Sequence, residues 1–178
     1  TYKNKKEALN NAKILINYTN CQSVKLECND QTVKIVNHLA KNKINVVSHI
    51  GVTPQSFKDF STIRSIGRKA EDKKRMIKLA LDLENSGTSM IVLECLTADL
   101  AKEISNRIQI PTIGIGSSVN CDGQVLVIDD ILNYDNSFNK PKFIKSYTNL
   151  SLEINQAVKK FTKEVRNKKF PSRRYSYK

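Results

Sequence analysis

The stretch INVVSHIGVTPQS, residues 44–56, decides the fold. It begins as an apolar, β-branched run, which is typical of a strand buried on both faces of a sheet. It ends in His49, a glycine and a Thr-Pro, which are residues of a loop. A second run, SMIVLE at 89–94, also passes from apolar residues directly to a charged one. Polar side chains at the ends of apolar strands predict a parallel sheet with a functional site at one edge.

Hydrophobic periodicity divides the chain into alternating strands and helices. The predicted strands cover 23–27, 44–50, 89–94, 112–116 and 124–128. The predicted helices cover 5–18, 30–42, 69–85, 97–108 and 151–168, and residues 51–68 are predicted to form a long loop. Units of one strand and one crossover helix are what a parallel sheet requires.

Two architectures fit a parallel sheet of this size. A doubly wound five-stranded sheet fits the length of 178 residues, but the sequence has no G-x-G-x-x-G after an early strand and no G-x-x-x-x-G-K-[ST]. A (β/α)8 barrel, or TIM barrel, typically has about 250 residues, so this chain would hold part of one. Length does not decide between the two, and we predict a single domain over residues 1–178.

Composition limits the class of protein. Apolar residues make up 39% and charged residues 26%, which is ordinary for a soluble protein. We expect no membrane-spanning helix and no signal peptide, because the apolar runs are short and the start is polar. The net charge is +13, but the lysines are spread over the helices, and only RNKKFPSRRYSYK (166–178) is a basic cluster. A specific nucleic-acid-binding module is therefore the least favoured hypothesis.

Four charged or titratable side chains are expected at the carboxyl ends of the strands: Lys25, Glu27, His49 and Glu94. Lys25 and Glu27 alternate on one face of a strand, and an unpaired buried carboxylate is costly, so the set indicates a site. Each residue also has a simpler interpretation. A strand-end glutamate often meets a helix N-terminus or a lysine, and a lone histidine is more often a hydrogen-bonded structural group. The second histidine, His38, is expected at the surface of a helix.

Four cysteines, Cys21, Cys28, Cys95 and Cys121, show no C-x-x-C spacing and are predicted to be reduced thiols in a cytoplasmic protein. Two strands end in the same Leu-Glu-Cys tripeptide. With His49, these residues could be taken for a zinc site. Adjacent Glu and Cys residues point to opposite faces of a strand, which makes zinc the weaker interpretation.

Six segments resemble, in order and spacing, the ketopantoate hydroxymethyltransferase (3-methyl-2-oxobutanoate hydroxymethyltransferase) family. They are VKLE (24–27), VSHIGVTPQS (47–56), the loop that ends in IGR (66–68), IVLEC (91–95), IPTIGIGSSVNCDGQVLVIDDIL (110–132) and NKPKF (139–143). The H-x-G-x-T-P-Q-S and I-G-I-G-x-x-x-x-x-D-G-Q blocks are specific to that family among similar barrels. The resemblance implies a (β/α)8 TIM barrel of which this chain holds strands four to eight, the C-terminal two-thirds.

The resemblance also implies an activity and a set of residue roles. The family transfers a hydroxymethyl group from 5,10-methylenetetrahydrofolate to 3-methyl-2-oxobutanoate, giving 2-dehydropantoate for pantothenate and coenzyme A biosynthesis. It uses Mg²⁺, is cytoplasmic and forms a homo-oligomer, typically a decamer. By resemblance, Lys25 binds the 2-oxoacid, Glu27 is a magnesium ligand, Glu94 is the proton acceptor, and His49 is an active-site residue of undefined role.

The chain departs from the family pattern in sequence and in extent. Cys28-Asn29 stands where the family usually has two glycines, and Ser118 where glycine or alanine is common. Family members also carry about three strands before the point that aligns with Thr1, with two metal-binding aspartates and a substrate-binding serine. Two further hypotheses therefore stay open. One is an inactive or partner-dependent barrel fragment, and the other is a different Mg²⁺-dependent barrel enzyme acting on 2-oxoacids.

Overall fold

The computed structural model describes residues 1–56, 64–135 and 140–177. Within the chain, two compact units are distinguished, Thr1–Val125 and Leu126–Lys178. The predicted loop at 51–68 lies partly outside the described residues, which omit 57–63. The prediction of one domain over residues 1–178 stays a prediction.

The first unit alternates helices and strands in the predicted order. Its helices are α1 (Lys5–Thr19), α2 (Val33–Lys41), α3 (Ala70–Asn85) and α4 (Ala98–Arg107). Its strands are β1 (Val24–Glu27), β2 (Val46–Gly51), β3 (Met90–Glu94), β4 (Thr112–Ile115) and β5 (Gly123–Gln124). A 3₁₀ turn, Pro54–Ser56, follows β2.

The order of the strands separates the two candidate architectures. All neighbouring strands are parallel, and their order in the sheet is the chain order, β1-β2-β3-β4-β5. A doubly wound sheet reverses its strand order at a switch point, and the strands described here show no reversal. Right-handed crossovers between sequential strands place successive helices on the same face, as in a barrel. The prediction of a partial (β/α)8 barrel is confirmed, and the doubly wound alternative is wrong.

The hydrophobic core lies between the helices and one face of the sheet. On β1, Val24 and Leu26 are buried, whereas Lys25 is exposed and Glu27 is half-buried. The helices contribute fully buried residues to this core, among them Leu39, Leu83 and Leu100. Because side chains alternate across a strand, burying the apolar residues of β1 under the helices sends its two charged residues to the opposite face.

α2 begins at Val33, later than predicted, because of a local side-chain bond. The Asn29 side-chain oxygen accepts hydrogen bonds from the backbone N–H groups of Gln31 (2.9 Å) and Thr32 (3.2 Å). An asparagine that bonds backbone groups a few residues ahead holds a turn in place of the first helical turn.

The strand predicted at 124–128 is wrong beyond its first residue. β5 is limited to Gly123–Gln124, although the Val125 N–H still donates to the Gly114 carbonyl (3.0 Å). The chain then enters a short helix, α5 (Ile128–Leu132), which has two aspartates in its first turn. Carboxylates stabilise a helix N-terminus, and here this preference outweighs the strand propensity of the apolar run.

The second unit contains α5, α6 (Leu150–Arg166) and a 3₁₀ turn at Arg173–Tyr175. α6 is capped by Asn149, whose side chain accepts from the Leu152 N–H (3.1 Å). Its apolar stripe is exposed; the stripe consists of Ile154, Val158, Phe161 and Val165. Within the described residues, no helix combines the length and apolarity needed to cross a bilayer.

Candidate active site

The four predicted site residues lie on the face of the sheet that faces away from the helices. In the parallel register, Glu27 on β1 pairs with His49 on β2, and Gly51 on β2 pairs with Glu94 on β3. Lys25 precedes Glu27 by two residues and therefore shares its face. The strand register thus gathers Glu27, His49 and Glu94 at one edge, where the carboxyl ends of β1, β2 and β3 meet.

His49 and Glu94 form the closest pair of the site. His49 Nε2 lies 3.0 Å from Glu94 Oε2, with the imidazole 2% and the carboxylate 16% exposed. The pair is close enough for an ion pair, but its angles are not those of a hydrogen bond. Neither ring nitrogen of His49 hydrogen-bonds to a described residue. A buried imidazole without hydrogen-bond partners is costly, so this ring is suited to receive a polar group of a bound molecule.

Glu27 is oriented by the segment that follows β2. Its Oε1 accepts a hydrogen bond from the Gln55 backbone N–H at 3.1 Å. Gln55 belongs to the 3₁₀ turn, so the turn after β2 fixes a carboxylate on β1. Lys25 is exposed, and the ion pairs found in the described part of the chain do not include it. The structure therefore brings His49 and Glu94 together and leaves Lys25 apart from them.

The backbone around Glu94 is tied to both neighbouring strands. Its carbonyl accepts from the Val52 N–H (3.0 Å), and the next residue, Cys95, donates its N–H to the Ile115 carbonyl (2.9 Å). On the β2 side, Gly51 has φ +105°, and a Cβ there would lie 2.1 Å from the Glu94 carbonyl oxygen. Only glycine accepts both that φ and that approach.

Two contributors to this site were not found from sequence. Ser117 hydrogen-bonds to the backbone on both sides of Glu94, and Gln55 holds Glu27 through its backbone N–H. A contact made by a backbone amide leaves no trace in residue type. Ser117 follows the I-G-I-G block, but its partners on β3 are set only by the sheet register.

The two cysteines that follow the glutamates are poor metal ligands or nucleophiles in this environment. Burial raises the pKa of the Cys28 thiol. Burial, and to a smaller extent the charge of Glu94, raises the pKa of Cys95 to about 11. Both thiols therefore stay protonated at neutral pH, whereas metal binding and nucleophilic attack require thiolates.

Glu27 fits one position in the coordination shell of Mg²⁺. That ion prefers carboxylate oxygens and is often held by one or two carboxylates together with water and substrate oxygens. The described residues contain no group of three or more His, Cys, Asp or Glu arranged to hold a metal. Among the described residues, Glu27 therefore fits Mg²⁺ as a single protein ligand. Any further oxygen ligands would come from water, substrate or residues that are not described.

A sequential parallel sheet with its polar residues at the carboxyl edge defines a (β/α)8-barrel protein with its site at the usual face of that fold. The sequence identifies which barrel family this is. Residues 1–173 match the family model of ketopantoate hydroxymethyltransferase, and the chain belongs to that family.

Curated relatives agree with this assignment. The 3-methyl-2-oxobutanoate hydroxymethyltransferase of Pelagibacter ubique is 45% identical over 177 residues, which cover 99% of this chain and 67% of the relative. The enzyme of the same name from Thermosipho melanesiensis is 42% identical, covering 97% of this chain and 64% of the relative. That of Campylobacter concisus is 39% identical, covering 100% and 65%. The chain thus spans about two thirds of the length of these relatives.

Proposed function

We propose that the protein is a 3-methyl-2-oxobutanoate hydroxymethyltransferase that acts in pantothenate and coenzyme A biosynthesis. In this reaction, 3-methyl-2-oxobutanoate, 5,10-methylenetetrahydrofolate and water give 2-dehydropantoate and tetrahydrofolate. A C–H bond at C3 of the oxoacid breaks, and a C–C bond forms to the one-carbon unit. The two C–N bonds that join this unit to the folate break, and water supplies the hydroxyl that it carries in the product. Family membership and the names of the relatives support this proposal.

The observation that carries the proposal is the His49–Glu94 pair. The reaction needs a base that removes the proton from C3, next to the ketone, and leaves the electron pair as an enolate. Glu94 is partly shielded from solvent at the carboxyl edge of β3, which suits a carboxylate base. His49 Nε2 lies 3.0 Å from Glu94 Oε2, so the imidazole directly contacts that carboxylate. When the proton reaches Glu94, the imidazole of His49 provides a neighbouring polar group.

Lys25 and Glu27 are assigned to the acidic end of the substrate. An exposed ammonium group suits a substrate carboxylate, because it acts as a mobile point charge. Glu27, held by the Gln55 N–H, is oriented to supply one oxygen to Mg²⁺. When bound, this ion supplies Lewis-acid stabilisation of the charge that develops on the keto oxygen. In this assignment, Lys25 and Glu27 bind the oxoacid group of the substrate, and Glu94 acts at C3.

We also propose a cytoplasmic, homo-oligomeric protein, a decamer by family resemblance. The alternative of a partner-dependent fragment is favoured by one observation, that β1 and β5 each have a single neighbour in the described sheet. A closed barrel has no such edges. Intact mass and light scattering on the purified natural protein distinguish a complete barrel from a partner-dependent fragment. A protomer well above 20.2 kDa in a defined oligomer supports a complete barrel, and a 20.2 kDa protomer that is active only with a second polypeptide supports the fragment.

Proton exchange tests the role of Glu94 without the folate. The full-length protein is incubated with 3-methyl-2-oxobutanoate and Mg²⁺ in D₂O, and loss of the C3 proton is followed by NMR. Glu94→Gln should slow exchange by at least about 100-fold, since a positioned base contributes roughly 10²–10⁴-fold. Glu103→Gln changes a partly exposed glutamate of α4 that pairs with Arg107; this matched control should keep the wild-type rate.

A second assay separates the two half-reactions. Addition of 5,10-methylenetetrahydrofolate should give 2-dehydropantoate, detected by mass spectrometry. If the wild-type protein exchanges the C3 proton but forms no product, the proposed enolate step is supported and the proposed folate donor is wrong. Wild-type protein that does neither, or Glu94→Gln protein that exchanges at the wild-type rate, would contradict the proposed function.

A further inference from the structure

The Ser117 hydroxyl joins β4 to the segment that carries Glu94. Ser117 follows β4 and Gly116, and its Oγ donates to the Leu93 carbonyl at 2.7 Å. The same oxygen accepts from the Leu96 N–H at 3.2 Å. Leu93 and Leu96 flank Glu94 and Cys95, so one hydroxyl closes a bridge over the two residues at the end of β3.

The bridged segment has a backbone conformation that needs support. Cys95 has φ +53°, in the left-handed region that residues other than glycine rarely adopt. Such conformations persist when surrounding contacts determine them. Backbone groups supply several of these contacts: Ile115 accepts from the Cys95 N–H (2.9 Å), and the Cys95 carbonyl accepts from the Ile66 N–H (2.9 Å). The Ser117 bond is made by a side chain, so a substitution can remove it.

We propose that Ser117 is a positioning residue for Glu94, acting by holding the turn at the end of β3 so that the carboxylate stays beside His49. The inference rests on the proposed function, because it assumes that Glu94 takes a proton. Ser117 itself is not assigned a contact with substrate. Its hydroxyl helps to hold the Glu94 backbone in place and thereby limits where the side chain can reach.

Small displacements at this point have large consequences for rate. Glu94 Oε2 is 3.0 Å from His49 Nε2, and a base must lie within hydrogen-bond reach of the proton that it removes. A misplacement of about 1 Å can cost about 100-fold in rate. Loss of one bridge among several should displace the segment by less than that, so we expect a loss of about 10-fold.

The test compares three substitutions in the full-length protein, using proton exchange at C3 of 3-methyl-2-oxobutanoate. Ser117→Ala removes the bridge, and Ser117→Thr retains a hydroxyl. Ser89→Ala is the matched control, because the Ser89 hydroxyl also bonds across the sheet, to the Val46 carbonyl (2.9 Å), but at the other end of β3. Thermal midpoints of all variants are measured with kcat and KM.

The expected result is a split between kcat and KM. Ser117→Ala should lower kcat for exchange about 10-fold and leave KM within about two-fold. Ser117→Thr and Ser89→Ala should both have a kcat near that of the wild type, even if either substitution changes the thermal midpoint. The proposal is wrong if Ser117→Ala exchanges at the wild-type rate, if Ser117→Thr is as slow as Ser117→Ala, or if the control slows equally. Absence of exchange in the wild type would instead refute the proposed function.

Discussion

Gly51→Ala tests how closely β2 constrains the position of Glu94. A Cβ at residue 51 would lie 2.1 Å from the Glu94 carbonyl oxygen and 3.1 Å from Leu96 Cδ2. Carbon and oxygen normally stay about 3.3 Å apart, so the two strands must separate by about 1 Å. The φ of +105° adds roughly 1–3 kcal/mol for a residue other than glycine. Loss of the hydrogen bond from the Val52 N–H to the Glu94 carbonyl adds about 1 kcal/mol.

The expected result is a decrease of about 2–4 kcal/mol in the free energy of unfolding, measured by urea denaturation with circular dichroism. Gly123→Ala is the matched control. Its Cβ would meet Ile113 Cδ1 at 2.8 Å, the end of a flexible side chain that can move aside. We therefore expect a decrease under about 1 kcal/mol there. Equal losses in the two variants, or a loss under about 1 kcal/mol for Gly51→Ala, would refute the argument from backbone contact.

Three other predictions follow from single residues. The pKa of Cys95, raised to about 11 mainly by burial, predicts slow alkylation at neutral pH, measured by mass spectrometry. Because the pKa of Cys95 is higher in the folded state than in the unfolded state, the protonated thiol favours folding. This contribution to stability is complete below about pH 8.5 and is lost as pH rises through the folded pKa. Cys95→Ala should therefore reduce the fall in thermal midpoint at alkaline pH. Hydrogen bonds from the Thr112 N–H and hydroxyl lower the pKa of Asp122. The ionised carboxylate therefore stabilises the fold above the ordinary carboxyl pKa, and this stabilisation is lost as pH falls through the folded pKa. Asp122→Asn should lower the thermal midpoint at pH 7 and reduce its fall at acid pH. Lys25→Met should raise KM for the oxoacid at least about 10-fold with a smaller effect on kcat, whereas the exposed Lys34→Met should change neither.

Sequence patterns predicted the parts of the fold that depend on periodicity and strand ends. The apolar runs that end at His49 and Glu94 are strands, and their polar residues lie at the carboxyl edge as expected. The choice between a doubly wound sheet and a barrel could not be made from periodicity, because the two share the same local units. The family resemblance pointed to the barrel, and the observed order of the strands confirms it.

The errors have local physical causes. The apolar VLVI run after Gln124 favours a strand, yet Asp129 and Asp130 occupy the first turn of a helix. Periodicity correctly predicted the helix over 151–168, but it does not tell whether an apolar face is buried, and Phe161 is 53% exposed. The 3.0 Å approach of His49 and Glu94 also lay beyond prediction. It depends on the register that pairs Gly51 with Glu94.

The two specific sequence blocks have a common structural consequence at Glu94. The block that begins at the end of β2 contributes Gly51, which permits close approach, and Val52, whose N–H donates to the Glu94 carbonyl. The block that contains β4 contributes the Ile115 carbonyl and the Ser117 hydroxyl, which hold the following residues. β3 lies between these two strands, so the backbone that carries Glu94 is held from both sides by contacts that tolerate little change in position. The most specific sequence patterns therefore lie on the two strands that flank Glu94 and hold its backbone in place.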